Sequence, residues 1–401
     1  MKKFSYKGVI PASKSLMNRA LICGRYKVGM EVLGHSNCDD VAKMRLGLAG
    51  LSAGQPMDCG SAGTTLRFLA LAASRVPGTH RLTGSDRLFS RPQRQLMDVI
   101  QLLGVKSYLD GDTTLVIESS GWINPQKPIH VDRSVSSQFA SGLLINAWNL
   151  PFELKIEWGP NLVSDGYWKM TVEMVRQLGM TLTDYPQGLV VGKNQSISED
   201  AIKYVVESDL SSAFAVAALA VVGGEAQLAQ FPNPSLQPDK EFIAILKSMN
   251  VPMSEQGATF TVGKQTHLKP VRWDLVNCPD LFPVLSVLCA LADGTSELYG
   301  APHLVHKESN RLRKSADLVE AMGRTVEVKS DGMLIHGRTE RDFTLKPMLK
   351  FDTDEDHRLA FAAAVAQLAG LPVEILKPDV VNKSFPEFWD IYHSGQDPGG
   401  N

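Results

Sequence analysis

Residues 213–222 read AFAVAALAVV, an uncharged segment made only of small and apolar residues. A helix of this composition has no polar face, so it is predicted to be buried on most sides and packed closely against its neighbours. Gly224 then leads into an apolar strand. A second helix follows with apolar residues at i, i+3, i+4 and i+7, namely Phe242, Ile245, Leu246 and Met249. Asn250 ends that helix and residues 260–262 form a short strand, so the stretch predicts one α/β unit.

The same order of elements recurs along the chain at a fixed period. Amphipathic helices end about 71 to 75 residues apart, at Gly104, Gly179, Asn250 and Gly323. The breakers after the small-residue helices lie about 70 to 76 residues apart, except for a first interval of 49: Gly29, Gly78, Pro151, Gly224, Gly294 and Gly370. The sequence therefore predicts six α/β units of roughly 73 residues, the first one shortened, with three units in each of two domains. The alternative is a coincidental alternation of helices and strands.

Composition is that of a globular protein and narrows the class of function. The 401 residues suit two domains, and a formal net charge of −2 argues against a general nucleic-acid binder. Five cysteines without a C-x-x-C pair predict reduced, buried thiols in a cytoplasmic protein. Residues 4–7, FSYK, argue against a signal peptide after the first lysines, and no run of 18 apolar residues predicts a membrane span.

Polar residues recur at the predicted helix starts. They precede the small-residue helices at residues 13–15, 63–64, 136–138, 209–212, 279–280 and 356–358, and the amphipathic helices at residues 39–40, 91–92, 164–167, 238–239, 307–311 and 383. Helix starts carry unpaired N–H groups and partial positive charge, which favour anions. Basic side chains at these positions strengthen the prediction of substrates with several anionic groups: Lys14, Arg91, Arg311, Arg358 and Lys383. Asp280 and Glu308 are the candidates for proton transfer.

Each of these residues also has a purely structural interpretation. Ser13, Ser15, Ser136, Ser164 and Ser211 are typical helix N-caps, and an isolated Lys14 or Lys383 is more often a solvated surface charge. His303 and His306 near Glu308 lack a recognised ligand spacing, so no metal site is predicted. Neither a Walker A loop nor a G-x-G-x-x-G turn occurs, which leaves nucleotide binding without support.

Ordered motifs resemble those of one enzyme family. Residues 13–19, SKSLMNR, resemble the S-K-S-x-x-N-R motif of EPSP synthases, and residues 61–67, SAGTTLR, are similar to their N-A-G-T-x-x-R loop. Further motifs follow in the family's order at residues 91–92, 134–138, 279–280, 307–311, 356–358 and 383–386, within a match from about Val9 to Tyr392. The resemblance implies an α/β (α+β) fold of two inside-out, barrel-like domains, each built of three βαβαββ-type units. With the first unit shortened, the domains are expected at 12–207 and at 1–11 with 208–401, and the active site in the cleft between them.

The resemblance also implies the reaction. Such an enzyme is a transferase that moves the enolpyruvyl group of phosphoenolpyruvate to the 5-hydroxyl of 3-phosphoshikimate through a tetrahedral intermediate, without metal or organic cofactor. Asp280 is implied as the base, Lys14 as its assistant and Glu308 as the proton donor to the methylene carbon. Implied phosphoshikimate contacts are Lys14, Ser15, Arg19, Ser136, Ser137, Gln138, Ser164, Asp280 and Lys307. Implied phosphoenolpyruvate contacts are Lys14, Gly63, Thr64, Arg91, Gln138, Arg311, Arg358 and Lys383.

The chain departs from the family pattern at several points. The hairpin that relatives carry between Asp40 and Gly60 is missing, and the family's usual residues are replaced at Ser61, His303, Val305 and Asn310. Affinity near His303 and Val305 is therefore expected to differ. The family is generally monomeric, without nucleic-acid or membrane partners, and the space left at Gly63 predicts inhibition by glyphosate.

Two other functions remain open. One is the related transfer to UDP-N-acetylglucosamine, disfavoured because Ser15 follows Lys14 and because the loop at Arg91 lacks a cysteine. The other is a non-catalytic relative, which the missing hairpin would permit. Retention of the acid, base and basic residues argues against it.

Overall fold

The computed structural model describes residues 3–340, 343 and 347–396. The chain divides into two compact units. One, named here the N-terminal unit, is Ala12–Val206, and the other, the C-terminal unit, combines Met1–Pro11 with Glu207–Asn401. The expected domain limits differ from these by one residue.

Helices occur where the two sequence periodicities predict them. Over the described residues they are α1 Lys14–Gly24, α2 Asp39–Ala53, α3 Gly63–Ala73, α4 Asp86–Phe89, α5 Arg94–Leu102, α6 Gln138–Ile145, α7 Asp165–Gln177, α8 Leu210–Gly223, α9 Glu241–Ser248, α10 Phe282–Ala290, α11 Arg311–Ala321, α12 His357–Leu368 and α13 Phe388–Ser394. The predicted small-residue helices are α1, α3, α6, α8, α10 and α12, and the predicted amphipathic ones are α5, α7, α9 and α11. Both sets are confirmed.

Short strands separate the helices. They are β1 Phe4–Val9, β2 Glu31–Leu33, β3 Met57–Asp58, β4 Gly78–Thr83, β5 Lys106–Leu109, β6 Thr114–Ser119, β7 Ile129–His130, β8 Leu154–Glu157, β9 Leu182–Tyr185, β10 Gly188–Val191, β11 Lys203–Val205, β12 Gly224–Ala229, β13 Met253–Gln256, β14 Thr259–Gly263, β15 Arg272–Asp274, β16 Gly294–Tyr299, β17 Thr325–Val328, β18 Met333–Gly337, β19 Leu349–Asp352 and β20 Val373–Leu376.

Four sheets share one topology. Their strand orders are β3-β4-β6-β5 and β7-β8-β10-β9 in the N-terminal unit, and β1-β12-β14-β13 and β15-β16-β18-β17 in the C-terminal unit. In each, the first two strands are parallel and a hairpin completes the sheet in antiparallel pairing. A helix lies between the two parallel strands of each sheet and another lies before the hairpin, which comes last. In the sheet of β1, the chain passes through the whole N-terminal unit and α8 before it reaches β12. These four units have the predicted βαβαββ order.

Two units are shorter and hold only a parallel strand pair, β11-β2 and β19-β20. The first lacks its hairpin because α2 leads directly to β3, as the sequence predicts. The last unit was expected to be complete, and that expectation is wrong. After β20 the chain forms a 3₁₀ helix at Pro378–Lys383 and then α13, with no hairpin among residues 377–396. The aromatic ring of Phe388 on α13 lies 4.5 Å from that of Phe361 on α12, so a helix covers the apolar surface there.

Small-residue helices form the core of each unit. In the C-terminal unit α8, α10 and α12 pack against one another, and in the N-terminal unit α1, α3 and α6 do the same. Every residue of α8 is buried. Gly142 of α6 illustrates the close packing, since an added Cβ would lie 2.8 Å from Leu71 and 3.1 Å from Phe68, both on α3. The starts of these helices are thereby held at fixed positions.

Two further sequence features have structural counterparts. All five cysteines are buried and free of disulfides, as expected. Burial raises the pKa of Cys23 and of Cys289 to about 12, so neither thiol is activated. Among the described residues, no helix has the length and apolar character needed to cross a bilayer.

Candidate active site

Arg311, the first residue of α11, lies at the centre of an ionic cluster in the C-terminal unit. Its guanidinium donates Nη1 to Asp280 at 2.6 Å, Nη2 to Glu308 at 2.8 Å and Nε to Asp356 at 2.7 Å. Burial disfavours its charged form, but the carboxylates of Asp356, Asp280 and Glu308 outweigh this and raise the pKa of Arg311 well above its ordinary value. Arg311 is therefore a permanent cation surrounded by acids.

Asp356 and Asp280 connect Arg311 to the neighbouring helix starts. Asp356 is fully buried at the N-cap of α12 and accepts hydrogen bonds from the backbone N–H of Arg358 at 3.0 Å and from Ser309 Oγ at 3.1 Å. Arg358 in turn donates Nη2 to Asp280 at 3.1 Å. Asp280 thus receives two guanidinium groups, while its side chain and that of Glu308 keep 21% and 16% exposure. Both candidate proton-transfer groups are therefore accessible.

Three more predicted residues of the C-terminal unit lie in different environments. His303 is buried, and its burial, followed by the charge of Lys307, lowers the pKa of its imidazole to about 2, so the ring is neutral. Lys307 is partly exposed. Lys383 was expected at a helix start, which is wrong: it is the last residue of a 3₁₀ helix, and α13 begins only at Phe388. Lys383 is nevertheless buried, and not a solvated surface lysine.

Lys14, the first residue of α1, belongs to a second cluster in the N-terminal unit. Its Nζ lies 3.1 Å from Asp40 Oδ2, and the two side chains are only 10% and 5% exposed. Asp40 is the second residue of α2, and its backbone carbonyl accepts from Thr65 Oγ1 at 3.0 Å. Ser13 caps α1 by accepting from the backbone N–H of Leu16, as predicted. The surface-charge interpretation of Lys14 is therefore wrong.

Arg19 follows Lys14 along α1 and has neutral partners. Its Nε donates to Thr171 Oγ1 at 2.7 Å and its Nη1 to the backbone carbonyl of Ser15 at 2.7 Å. The guanidinium also lies 5.2 Å from the ring centre of Phe68. Burial lowers the pKa of Arg19 to about 10, which leaves it charged at neutral pH.

Arg67 connects three predicted site segments of the N-terminal unit. Its Nη1 donates to Gln138 Oε1 at 2.5 Å and its Nη2 to the backbone carbonyl of Pro92 at 3.3 Å. Gln138, the first residue of α6, donates Nε2 to Thr64 Oγ1 at 3.0 Å. The starts of α3 and α6 and the loop of residues 91–92 are thereby held together.

Gly63 and Arg91 are close neighbours. Gly63 is the first residue of α3, and an added Cβ would lie 2.8 Å from Nη1 of Arg91. The absence of a side chain at this position therefore lets the guanidinium approach the N-terminus of α3, where unpaired N–H groups favour anions.

Unlike Ser13, the candidate serines of the later helices do not act as ordinary caps. Ser136 Oγ accepts from the backbone N–H of Gln138 at 3.2 Å, and Ser137 occupies the N-cap position of α6 without capping it through its side chain. Ser164 precedes α7 with φ 53° and ψ 37°, a left-handed conformation, and its side chain also makes no capping bond. Ser211 lies inside α8, which is capped by Asp209 through the N–H of Ser212 at 2.8 Å.

The structure thus brings Asp280, Glu308, Arg311 and Arg358 into one cluster in the C-terminal unit. In the N-terminal unit, Lys14 pairs with Asp40, and Thr64 and Gln138 are joined to Arg67; these residues and Arg19 are called the N-terminal cluster below. Sequence reasoning assigned no role to three of their partners, Asp40, Asp356 and Arg67. Their signal was position: Asp40 stands at a helix start in phase with the repeat, and Asp356 and Arg67 lie inside two of the motifs. In the described part of the chain, no group of three or more His, Cys, Asp or Glu side chains is arranged to hold a metal ion.

Relatives of the chain are found both by sequence and by structure. The EPSP synthase family model, described as 3-phosphoshikimate 1-carboxyvinyltransferase, matches residues 28–392. The 3-phosphoshikimate 1-carboxyvinyltransferase of Clostridium novyi (strain NT) is 32% identical over 374 residues, 92% of this chain and 81% of that protein. The one of Methanosphaerula palustris is 31% identical over 417 residues, 96% of this chain and 95% of that protein.

Solved structures share the fold. EPSP synthase from Acinetobacter baumannii aligns with a TM-score of 0.75 at 22% identity, over 98% of this chain and 96% of that one. The enolpyruvyl transferase NikO from Streptomyces tendae aligns with a TM-score of 0.70 at 15% identity, over 98% and 95%. These alignments confirm the predicted α/β fold class. Since the family model and relatives above 30% identity match most of its length, the chain belongs to the EPSP synthase family.

Proposed function

We propose that this chain transfers the enolpyruvyl group of phosphoenolpyruvate to the 5-hydroxyl of 3-phosphoshikimate and releases phosphate, a step of the shikimate pathway to aromatic amino acids. Family membership supports this reaction. The observation that carries it is the cluster around Arg311, where Asp280 and Glu308 are both exposed enough to react and are held by different nitrogens of one guanidinium. Such an arrangement fixes two proton-transfer groups relative to each other.

The N-terminal unit is proposed to hold the anionic groups of the substrates. Arg19 is a buried cation with neutral hydrogen-bond partners, so its charge is available to a phosphate. Ser15, Ser136, Ser137 and Ser164 supply neutral donors for the phosphoshikimate. Lys14, Gly63, Thr64, Arg91 and Gln138 surround the phosphoenolpyruvate, whose charge suits the N-terminus of α3.

The C-terminal unit is proposed to move the protons. Asp280 accepts the proton of the 5-hydroxyl as its oxygen attacks C2 of phosphoenolpyruvate, and Glu308 donates a proton to C3, which gives the tetrahedral intermediate. Loss of phosphate from C2 and of one proton from the new methyl group then forms the enol ether. Lys14 assists at the hydroxyl, while Arg311, Arg358, Lys383 and Lys307 offset the negative charge of the bound substrates.

Accessibility separates the acids of this cluster. Asp356 is fully buried and accepts from Arg311, from Ser309 and from the backbone N–H of Arg358, so it is proposed to hold Arg311 in place. Glu308 keeps 16% exposure beside the same guanidinium, which suits it to deliver a proton.

The proposal needs both clusters to act on one pair of substrates. It includes no metal and no organic cofactor, so a chelator should leave the rate unchanged. We also propose that the protein is cytoplasmic and monomeric. Sedimentation at the assay concentration measures its mass in solution and so tests the monomeric state.

Phosphate release with both substrates tests the reaction. We expect release only when phosphoenolpyruvate and 3-phosphoshikimate are both present, and a roughly 10²- to 10⁴-fold lower kcat for Glu308→Gln, whose amide still accepts from Arg311. Glu320→Gln is the control, because Glu320 lies near the end of α11, the helix that begins at Arg311, and pairs at the surface with Arg313. Release with UDP-N-acetylglucosamine in place of phosphoshikimate would identify the sister activity. If no phosphate is released with either acceptor, the chain is a non-catalytic relative.

A further inference from the structure

Ser164 has a backbone conformation that its neighbours must hold. Its φ of 53° and ψ of 37° lie in the left-handed region, which is sterically unfavourable for a residue other than glycine. Its carbonyl accepts the backbone N–H of Tyr167 at 3.1 Å and of Trp168 at 3.4 Å, so this turn starts α7. Without support, the serine would relax toward an extended conformation and its hydroxyl would point elsewhere.

Arg133 supplies two hydrogen bonds that bracket Ser164. The backbone carbonyl of Arg133 accepts from the N–H of Val163 at 3.2 Å. The side chain of Arg133 donates Nη2 to Asp165 Oδ1 at 2.6 Å. The residues immediately before and after Ser164 are therefore both attached to one arginine.

Arg133 is itself fixed between two aromatic rings. Its side chain is fully buried, and the guanidinium lies 5.0 Å from the ring centre of Trp158 and 5.0 Å from that of Trp168. The two rings are 5.3 Å apart in an edge arrangement. Within the described chain, Nε and Nη1 of Arg133 make no hydrogen bond, so the rings and one carboxylate hold the cation.

The same arginine lies three residues before Ser136. Its peptide thus starts the segment that carries Ser136 and Ser137, while its bonds hold the turn that carries Ser164. We propose that Arg133 is a positioning residue, which fixes Ser164 relative to Ser136 and Ser137 for the phosphate of phosphoshikimate. This inference rests on the proposed function, because that function makes these serines phosphoshikimate contacts.

Lys169 provides a matched comparison. Its Nζ lies 2.9 Å from Asp165 Oδ2, so it shares a carboxylate with Arg133. Its side chain is 77% exposed, however, and an exposed ion pair within one helix contributes little. Replacing Lys169 therefore removes a partner of Asp165 without releasing the turn.

Steady-state kinetics of Arg133→Met, Arg133→Lys and Lys169→Gln test the proposal. For Arg133→Met we expect the KM for 3-phosphoshikimate to rise tenfold or more, while kcat and the KM for phosphoenolpyruvate change less than threefold. Arg133→Lys keeps the charge, so its KM for 3-phosphoshikimate should lie between those of the wild type and Arg133→Met. If Arg133→Met does not fold, Arg133→Lys is used to test the proposal in its place. Lys169→Gln should match the wild type. A lower melting temperature with an unchanged KM for 3-phosphoshikimate would mean a structural role only, and would overturn the inference.

Amide hydrogen exchange gives a readout that does not need turnover. The N–H groups of Tyr167 and Trp168, which bond to Ser164, should exchange at least tenfold faster in Arg133→Met and at the wild-type rate in Lys169→Gln. Unchanged exchange in Arg133→Met would overturn the inference even if the enzyme is active. A wild-type protein that does not turn over 3-phosphoshikimate would instead sink the proposed function, and exchange would then decide alone whether Arg133 holds the turn.

Discussion

Arg311 and Arg19 are both almost completely buried, but Arg311 has charged hydrogen-bond partners and Arg19 has neutral ones. Arg311, in the C-terminal unit, donates to three carboxylates, and their charge raises its pKa well above the ordinary value despite burial. Arg19, in the N-terminal unit, donates to the hydroxyl of Thr171 and the backbone carbonyl of Ser15. With neutral acceptors, burial dominates and lowers its pKa to about 10.

The difference suits the two clusters to two different tasks. A buried guanidinium with neutral partners keeps a charge that a substrate phosphate can neutralise. A guanidinium that donates to three carboxylates has more of its charge compensated before a substrate arrives, and it also orients acids that can exchange protons. The N-terminal cluster is therefore suited mainly to holding anions, and the C-terminal cluster mainly to proton transfer.

Removing each arginine should have the largest effect and an unequal one. Arg311→Met leaves Asp356, which is fully buried, without its cation, so we expect a loss of about 3–5 kcal/mol in the free energy of unfolding. Arg19→Met removes hydrogen bonds to neutral groups and should cost about 1–3 kcal/mol. Urea unfolding of both variants measures the contrast. Equal losses would mean that the partners of the two arginines do not matter.

His303 shows the effect of burial on a second kind of basic side chain, and this effect can be measured at acid pH. Its pKa in the fold is about 2, lowered by burial first and by Lys307 second, whereas a histidine in the unfolded chain has a pKa of about 6.5. Below about pH 6.5 the unfolded state alone binds the proton, so stability falls as pH drops, by at most about 1.4 kcal/mol per pH unit. His303→Asn removes this loss. Between pH 6.5 and 4.5 we expect the free energy of unfolding of the variant to fall by roughly 2–3 kcal/mol less than that of the wild type.

Unfolding by urea at pH 4.5, 5.5 and 6.5 measures this effect. The same substitution at His130, which is exposed on β7 of the N-terminal unit, controls for the loss of any imidazole. Parallel profiles for the wild type and His303→Asn would show that burial does not keep this ring neutral.

Sequence predicted the local elements well because their signals are local. The period of apolar residues in α9 and the small residues of α8 each specify a helix without knowledge of its neighbours. The last unit was mispredicted because its missing hairpin depends on tertiary packing. There the ring of Phe388 packs against that of Phe361, and no periodic pattern in residues 377–396 predicts this contact.

The sequence predicted which residues belong to the candidate site, but not which of them form ion pairs with one another. Motifs gave Lys14 and Arg311, whereas their partners Asp40 and Asp356 emerge only when helix starts meet in space. The left-handed turn at Ser164 had no sequence signal either, because serine does not favour positive φ.

Asp40→Asn tests the buried ion pair between Lys14 and Asp40. The asparagine keeps an oxygen for the ammonium but loses the charge, so we expect kcat/KM to fall roughly 10- to 100-fold, as for a hydrogen bond to a charged group. Asp39→Asn is the control, since Asp39 is the exposed neighbour at the same helix start. A full loss confined to Asp40→Asn would assign Lys14 a role in the chemistry. No loss would leave Lys14 as an anion-binding group that does not need its partner.

Gly63→Ala should give the smallest effect and the most selective one. The new Cβ would lie 2.8 Å from Arg91 Nη1, the far end of a flexible side chain, so the guanidinium shifts and the helix does not. Alanine also favours a helix over glycine by about 0.5–1 kcal/mol, so the melting temperature should not fall. We expect the KM for phosphoenolpyruvate to rise about three- to tenfold, near 1 kcal/mol, with the KM for 3-phosphoshikimate unchanged. Gly50→Ala in α2, where the nearest atom would be 3.4 Å away, is the control. A rise in both KM values would show that the two anions share one set of contacts, and the division of the N-terminal cluster between them would be wrong.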